Sequence, residues 1–439
     1  MQPKAREAVA YLEEHRGELI SLLQEMVRTK SINPAFDPES PGEGAMAALV
    51  KARYDQLGIP VELVEAVPGR PNVIATLKGE GGGPRLLINC HMDTHPGKVG
   101  EWVDPYTGQV VREWSHDPFA AEIEDGIMYG RGTVDHKMPI AATLMALQAL
   151  KAVGVRLKGD LTCIHDVDEE TGGKYGMKYL ADTRPLDFDM ALYACTSDVT
   201  PLAQSFMPAL KGDNIIRSFA GWHTYRIRFA GVNYHNLTPV RGLGGVEAVL
   251  LFIRERLEPM MDRVNAYNCP IEGTGQPPMK ISSIDCAPRK AFHHQALWAD
   301  LVVNRRIAAS LDGDAALREM QELVAAHNDA YPQNQAELFL ERDTKVALTD
   351  AGHPLVTGLA RAVEQVTGRR ANVTGCPSPV GISTLLGQVE IPTVLFGYGL
   401  LNLHHAVDER IALEDVVDTA KVYAVALMEW LGVAAESRN

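Results

Sequence analysis

Five residues able to hold a divalent metal stand just beyond apolar runs: His91, Asp135, Glu170, Asp198 and His405. In "LLINCHMDTHPG", residues 86–97, the aliphatics Leu86, Leu87 and Ile88 lie between a Gly-Pro and a Pro-Gly pair and read as a short core strand. His91 and Asp93 follow that strand. Asp135 lies in "MYGRGTVDHK", Glu169 and Glu170 in "DVDEETGGK", Asp198 just past "MALYACTS", and His405 in "NLHHAVDER" after the run ending in "FGYG". Strand ends in α/β sheets are where ligands and catalytic groups gather. Singly, each residue is as well explained as a helix cap or turn acceptor. Together, two imidazoles and three carboxylates at the ends of elements that one sheet would bring together suit a pair of divalent ions bridged by one carboxylate.

The elements that must position them follow from periodicity. Up to about residue 210, amphipathic helices ("EAVAYLEEHRGELISLLQEMV", "GAMAALVKARYDQL") and a buried one ("MPIAATLMALQALKAV") alternate with strands ("NVIATLKG", "RLLINC", "DLTCIHDV"). That alternation predicts a mixed or parallel sheet covered by helices. "GEGGGP", before Arg85, reads as a hairpin turn rather than a phosphate loop, since no Gly-Lys-Ser/Thr follows. The middle of the chain changes to the order β-α-β-β-α-β, from "HTYRIRFAG" to "AELFLE", the ferredoxin-like split unit. From about residue 341 the helix-then-strand alternation returns. The expected architecture is an α/β catalytic domain, residues 1–213 and 341–439, interrupted by an inserted α+β domain, residues 214–340.

Composition narrows the function classes. The chain has 439 residues, 46% of them hydrophobic and 22% charged, which is ordinary for a globular protein. No apolar run approaches a membrane span, and the charged, helical start does not read as a signal peptide. A net charge of −14 without a basic stripe argues against nucleic acid. Cys90, Cys163, Cys195, Cys269, Cys286 and Cys376 are scattered, which predicts free thiols and a cytoplasmic location.

The stretches "HMDT", "WSHDPFAAEIEDGIMYGRGTVDHK", "DEETGG" and "HHAVDE" together resemble the dinuclear zinc metallopeptidase and deacylase family of acetylornithine deacetylase, succinyl-diaminopimelate desuccinylase, aminoacylase and the glutamate carboxypeptidases. The resemblance covers nearly the whole chain, with the insertion as a lid and dimerisation domain. It implies that His91, Asp135 and Asp198 hold one metal and Asp135, Glu170 and His405 the other. Of the adjacent pair, His405 rather than His404 fits the family's last ligand, which stands two residues before an acidic pair, here Asp408 and Glu409. Asp93 would hydrogen-bond His91 and fix its tautomer. Glu169 would take a proton from water and pass it to the departing amine. His235, in "GVNYHNLTP", occupies the place of the lid histidine that reaches across a homodimer as an oxyanion donor. Arg306, in "VVNRRIAAS", matches the arginine that binds a substrate carboxylate; Arg305 is its rival. Two zinc ions are implied, and the thiolate-free ligand set equally suits cobalt or manganese.

The chain also departs from the family. "TGCPSPVG", residues 374–381, replaces Gly-Gly-Thr-Ser-Asp, "VDHKMP" replaces Asp-Met-Lys-Gly, and a longer loop carrying His95 and Trp102 follows "HMDT". The metal machinery is kept and the substrate side altered. The expected activity is hydrolysis of an amide C–N bond in a small N-acyl amino acid or dipeptide-like substrate. An aminohydrolase releasing an amine from a non-acyl carbon is the alternative, and a non-catalytic binding protein, against which Glu169 argues, is the third reading.

Overall fold

The computed structural model describes residues 1–97, 102–103, 110–111, 114–201, 205, 209–232, 244–271, 273–274, 278–287, 296–376, 385 and 389–435. The chain divides into two compact units, one of residues 1–217, 349–374 and 384–439 and one of residues 218–348 and 375–383. The Ala336–Thr344 strand runs past the boundary expected at 340. It pairs along the Gly221–Ala230 strand as far as Trp222↔Thr344, which keeps residues 341–348 with the second unit.

In the first unit the mixed sheet runs in the order Val61–Glu65, Pro71–Leu77, Asp160–Asp166, Arg85–His91, Met190–Ala194, Thr393–Phe396, Asn214–Phe219. The four strands from Asp160–Asp166 to Thr393–Phe396 are parallel. Parallel strands deliver their C-terminal ends to one edge, so the residues after His91, Asp166, Ala194 and Phe396 meet there. Such strands are buried on both faces and read as continuous apolar runs. Leu86, Ile88 and Cys90 pack in the cluster that holds the almost wholly buried Lys137–Ala152 helix, while Leu87 packs with Met177 and Leu180 on the opposite face.

The glycine-rich turn before Arg85 is not a hairpin. The strands it joins are separated by Asp160–Asp166, which pairs with both. The turn instead leans on the segment before that strand, with Glu80 and Gly81 donating to the Leu157 and Lys158 carbonyls at 2.9 Å each. A Cβ at Gly79 would stand 2.4 Å from the Gly159 and Lys158 carbonyl oxygens, so this close approach admits only glycine.

The second unit carries a four-stranded antiparallel sheet ordered Met279–Ala287, Trp298–Ile307, Gly221–Ala230, Ala336–Thr344. With helices following the Gly221–Ala230 and Trp298–Ile307 strands along the chain, this is the ferredoxin-like split unit. Alternate residues of Gly221–Ala230, among them Tyr225, Ile227 and Phe229, pack against Val249, Phe252, Met320 and Val324 of those helices. All six cysteines are free thiols, and among the described residues no helix is long and apolar enough to cross a membrane.

Candidate metal centre

His91 is the last residue of its strand, and its Nδ1 donates to the Asp93 carbonyl oxygen at 3.0 Å. A carbonyl only accepts, so the proton sits on Nδ1 and the Nε2 lone pair is directed elsewhere. That nitrogen lies 3.2 Å from Asp135 Oδ1 and 3.8 Å from Glu169 Oε2. The Asp93 carboxylate is only 3.4 Å from His91 Nδ1, and its main partners are elsewhere. Fully buried, it accepts from Asn33 Nδ2 at 2.8 Å and from the Glu169 and Glu170 amides at 3.1 and 3.2 Å. Asp93 therefore ties the His91 strand end to the turn that carries both glutamates.

Asp135 is held by a residue that the sequence reading used only as a spacing marker. Glu409 is fully buried, and one of its oxygens accepts from the amides of Gly132, Val134 and Asp135 at 3.0, 2.8 and 3.0 Å. Its other oxygen pairs with Arg131 Nη1 at 2.7 Å, and the same guanidinium donates to the Pro96 carbonyl. Thus fixed, the Asp135 carboxylate places Oδ1 toward His91 and Oδ2 3.1 Å from His405 Nε2. That is the disposition of a bridging carboxylate. His405 Nε2 also lies 2.9 Å from Glu170 Oε2. Of the carboxylates among the described residues, only Asp135 comes within 4 Å of the neighbouring His404, whose Nε2 is engaged with the Thr196 hydroxyl at 2.7 Å.

Two groups of potential ligand atoms gather within 4.8 Å: His91, Asp135 and Glu170, and His95, Glu170 and His405. The donor set passes a test for a divalent ion on its polar bookkeeping. Asp135 Oδ2 and Glu170 Oε1 are buried and accept no hydrogen bond, although His405 Nε2 stands so near Asp135 Oδ2. Buried carboxylate oxygens are costly without a partner, and close donor atoms that do not bond one another are what ligands of a common ion require. Charge points the same way. Burial pushes the His405 ring down, but Asp135 and Glu170 overcome it and raise the imidazole to about 11. His91 rises well above its ordinary value by the same contest, burial against Asp135 and Asp93. Burial and the Asp135 charge push Glu170 up, yet His405 and His95 bring it to about 2. The carboxylates thus demand positive charge, and a divalent ion supplies it while leaving the imidazoles neutral, as ligands must be.

Glu169 is treated differently from its neighbour. Burial raises its carboxyl to about 8, against the pull of His91 and with the help of the Glu170, Asp135 and Asp93 charges. Its side chain keeps 22% of its surface open, and Tyr193 Oη donates to Oε1 at 3.4 Å.

Asp198, expected as a ligand, belongs to neither group. Its amide donates to the Gly399 carbonyl, its own carbonyl accepts from Leu401, and its carboxylate accepts from Asn214 Nδ2 at 2.8 Å. Burial, then the charges of Asp415 and Asp213, raise it to about 7. His235 lies outside the described residues, as does most of the 374–381 departure. In the second unit Arg305 is buried and bound to the Ala316 carbonyl and Glu319. Arg306 instead lies over the Trp222 ring at 3.8 Å, with Arg342 over the same ring at 4.0 Å. Its Nη1 is buried without a hydrogen bond, and burial followed by the Arg342 charge lowers it to about 10.

Imidazoles and carboxylates gathered at the C-terminal edge of a parallel sheet are the donor set of a divalent-metal centre. Residues 87–429 match Peptidase family M20/M25/M40, and the chain belongs to that family. It is 25% identical over 440 residues, spanning 95% of this chain and 96% of the relative, to an N-formyl-4-amino-5-aminomethyl-2-methylpyrimidine deformylase of Bacillus subtilis. A protein of the same name from Halalkalibacterium halodurans is 24% identical, with 97% of each covered. Among solved structures, the fold is shared with aminopeptidase PepT of Bacillus cereus (TM-score 0.70, 17% identity, 94% of this chain and 98% of that one). It is shared too with the di-peptidase Dug1p of Saccharomyces cerevisiae (TM-score 0.68, 14% identity, 97% and 98%). The activity is metal-dependent amide hydrolysis of small substrates.

Proposed function

We propose that the chain hydrolyses the amide bond of a small N-acyl amino acid or dipeptide-like compound, at a centre held by His91, Asp135, Glu170 and His405. When bound, divalent ions there polarise the scissile carbonyl and lower the pKa of water; zinc suits the ligands, as do cobalt and manganese. The divergence of Glu169 and Glu170 carries this reading. Asp93 pins both backbone amides, yet Glu170 turns to the imidazoles while Glu169 stays partly open, 3.8 Å from His91 Nε2. From there Glu169 accepts a proton from water and returns it to the departing amine, and a carboxyl raised toward neutrality is matched to both halves of that task.

Arg306, whose Nη1 has no partner, is assigned the substrate carboxylate. His235 is assigned the oxyanion contact, across a homodimer formed through the second unit. The Met279–Ala287 edge strand supports such pairing, since Ile281 and Ile284 are exposed on it. The six free thiols support a cytoplasmic location.

Glu169→Gln tests the central role. It removes a proton acceptor and no ligand, so metal content should stay near that of the unaltered chain while turnover falls by roughly 10²–10⁴-fold. Loss of metal from this variant would make Glu169 a ligand and reverse the two glutamates. The substrate panel should include formyl, acetyl and succinyl amides and dipeptides, because the curated relatives are named for removal of a formyl group. Release of carboxylic acid supports the amide reading, and release of ammonia from aminoaromatics supports the aminohydrolase alternative.

A further inference from the structure

We infer that His95 is a metal ligand, binding through Nε2 the ion shared with Glu170 and His405, and that Asp198 is not a ligand. The inference rests on the proposed metal centre and specifies its donor set. His95 Nε2 lies 3.3 Å from Glu170 Oε2, the oxygen that is also 2.9 Å from His405 Nε2. The His95 ring is stacked on His405 at 3.9 Å and on Phe36 at 4.3 Å, and its side chain is only 11% exposed. Stacking on both neighbours holds the ring with Nε2 directed at the glutamate. Pro96 follows directly, and its carbonyl accepts from Arg131, the guanidinium that also pairs with Glu409. The segment bearing His95 is thereby fastened to the residue that positions Asp135.

Glu170 Oε1, buried and without a hydrogen bond, remains for the other group, in which Glu170 gathers with His91 and Asp135. Glu170 and Asp135 then both serve two positions, and three imidazoles and two carboxylates replace the two imidazoles and three carboxylates read from the sequence. Exchanging a carboxylate for an imidazole removes one negative charge from the donor set. It also favours zinc, cobalt or nickel over manganese and magnesium, which prefer oxygen.

The test reads binding rather than turnover, so it is independent of whether Glu169 is the base. Zinc is titrated by calorimetry into the full chain after chelation, for the unaltered protein, His95→Gln, His95→Cys and Asp198→Asn, with circular dichroism confirming that each is folded. His95→Gln should weaken one of the two zinc-binding events by at least on the order of 100-fold, the upper end of what losing even an outer partner costs. His95→Cys, which restores a soft ligand, should recover part of that loss, and in the cobalt-loaded form should add a thiolate-to-metal absorption band. Asp198→Asn should leave both events unchanged. Zinc binding unaltered in folded His95→Gln, or one ion lost from Asp198→Asn, would overturn the assignment.

Discussion

Removing Glu409 should cost more than its distance from the chemistry suggests. The side chain is fully buried, accepts from the loop amides of Gly132, Val134 and Asp135 and pairs with Arg131, itself only 3% exposed. Glu409→Ala leaves the guanidinium without its carboxylate, and breaking a buried pair by deleting one partner costs about 3–5 kcal/mol. The three amides would add about 1–3 kcal/mol each if they stayed dry. Water that entered in place of the carboxylate would satisfy those amides, so the pair sets the scale and about 3–5 kcal/mol is the expected loss. That is a large share of the roughly 5–15 kcal/mol that holds a domain folded. Glu409→Gln keeps one oxygen for the amides but sets an NH2 donor against the Arg131 guanidinium, so it loses the ion pair while sparing the loop amides, and a loss smaller than that of Glu409→Ala is expected. Urea denaturation of the chelated chains measures both, with the slope held as the check that the unfolded state has not changed. Because Asp135 takes its backbone anchor from Glu409, zinc affinity should fall in the same order, alanine below glutamine below the unaltered chain. If Glu409→Ala unfolds within about 1 kcal/mol of the unaltered chain and binds zinc as well, the loop is held by something else.

Asp198 predicts a pH effect. Its folded value near 7 lies above the ordinary 3.8, so the folded chain binds the extra proton between those values, and the stability this contributes at low pH is lost as pH rises through about 7. Asp198→Asn, which removes the charge facing Asp213 and Asp415, should flatten the fall in urea midpoint between pH ~5 and ~8, and an unchanged slope would refute it. For the homodimer, mixing His235→Ala with Glu169→Gln under subunit exchange should restore part of the activity, because each mixed dimer has one site with one chain's Glu169 and the other's His235. No recovery despite confirmed exchange, or a monomer by light scattering, would rule out a shared site.

The parallel strands, the buried helix and the split unit were legible because their periods are carried by many residues at once. The failures are local. The glycine-rich turn reads as a hairpin because hairpin and crossover demand the same turn residues, and only the insertion of Asp160–Asp166 between the flanking strands separates them. Asp198 shows what spacing leaves out: it stands past a strand end, and the bonds through its own amide and carbonyl and the Asn214 bond to its carboxylate come from residues remote in the chain. Sequence spacing reports where a residue sits along the chain and not which way its Cβ points. Glu409 was visible as a motif letter, yet a glutamate with no exposed surface becomes intelligible only once the loop amides it binds are in place. His95 stood in the loop noted after "HMDT", and its signal was the following proline, which favours an extended residue before it.

The two adjacent glutamates share a backbone anchor and differ in what their side chains meet. Both amides hang from Asp93, so the backbone treats Glu169 and Glu170 almost alike. Their side chains then enter opposite environments. Glu170 meets two imidazoles and is drawn to about 2, despite its burial, while burial and the charges of Glu170, Asp135 and Asp93 outweigh His91 and raise Glu169 to about 8. Carboxyl groups whose surroundings push them apart in this way divide the labour, the lower one staying ionised and the higher one trading protons.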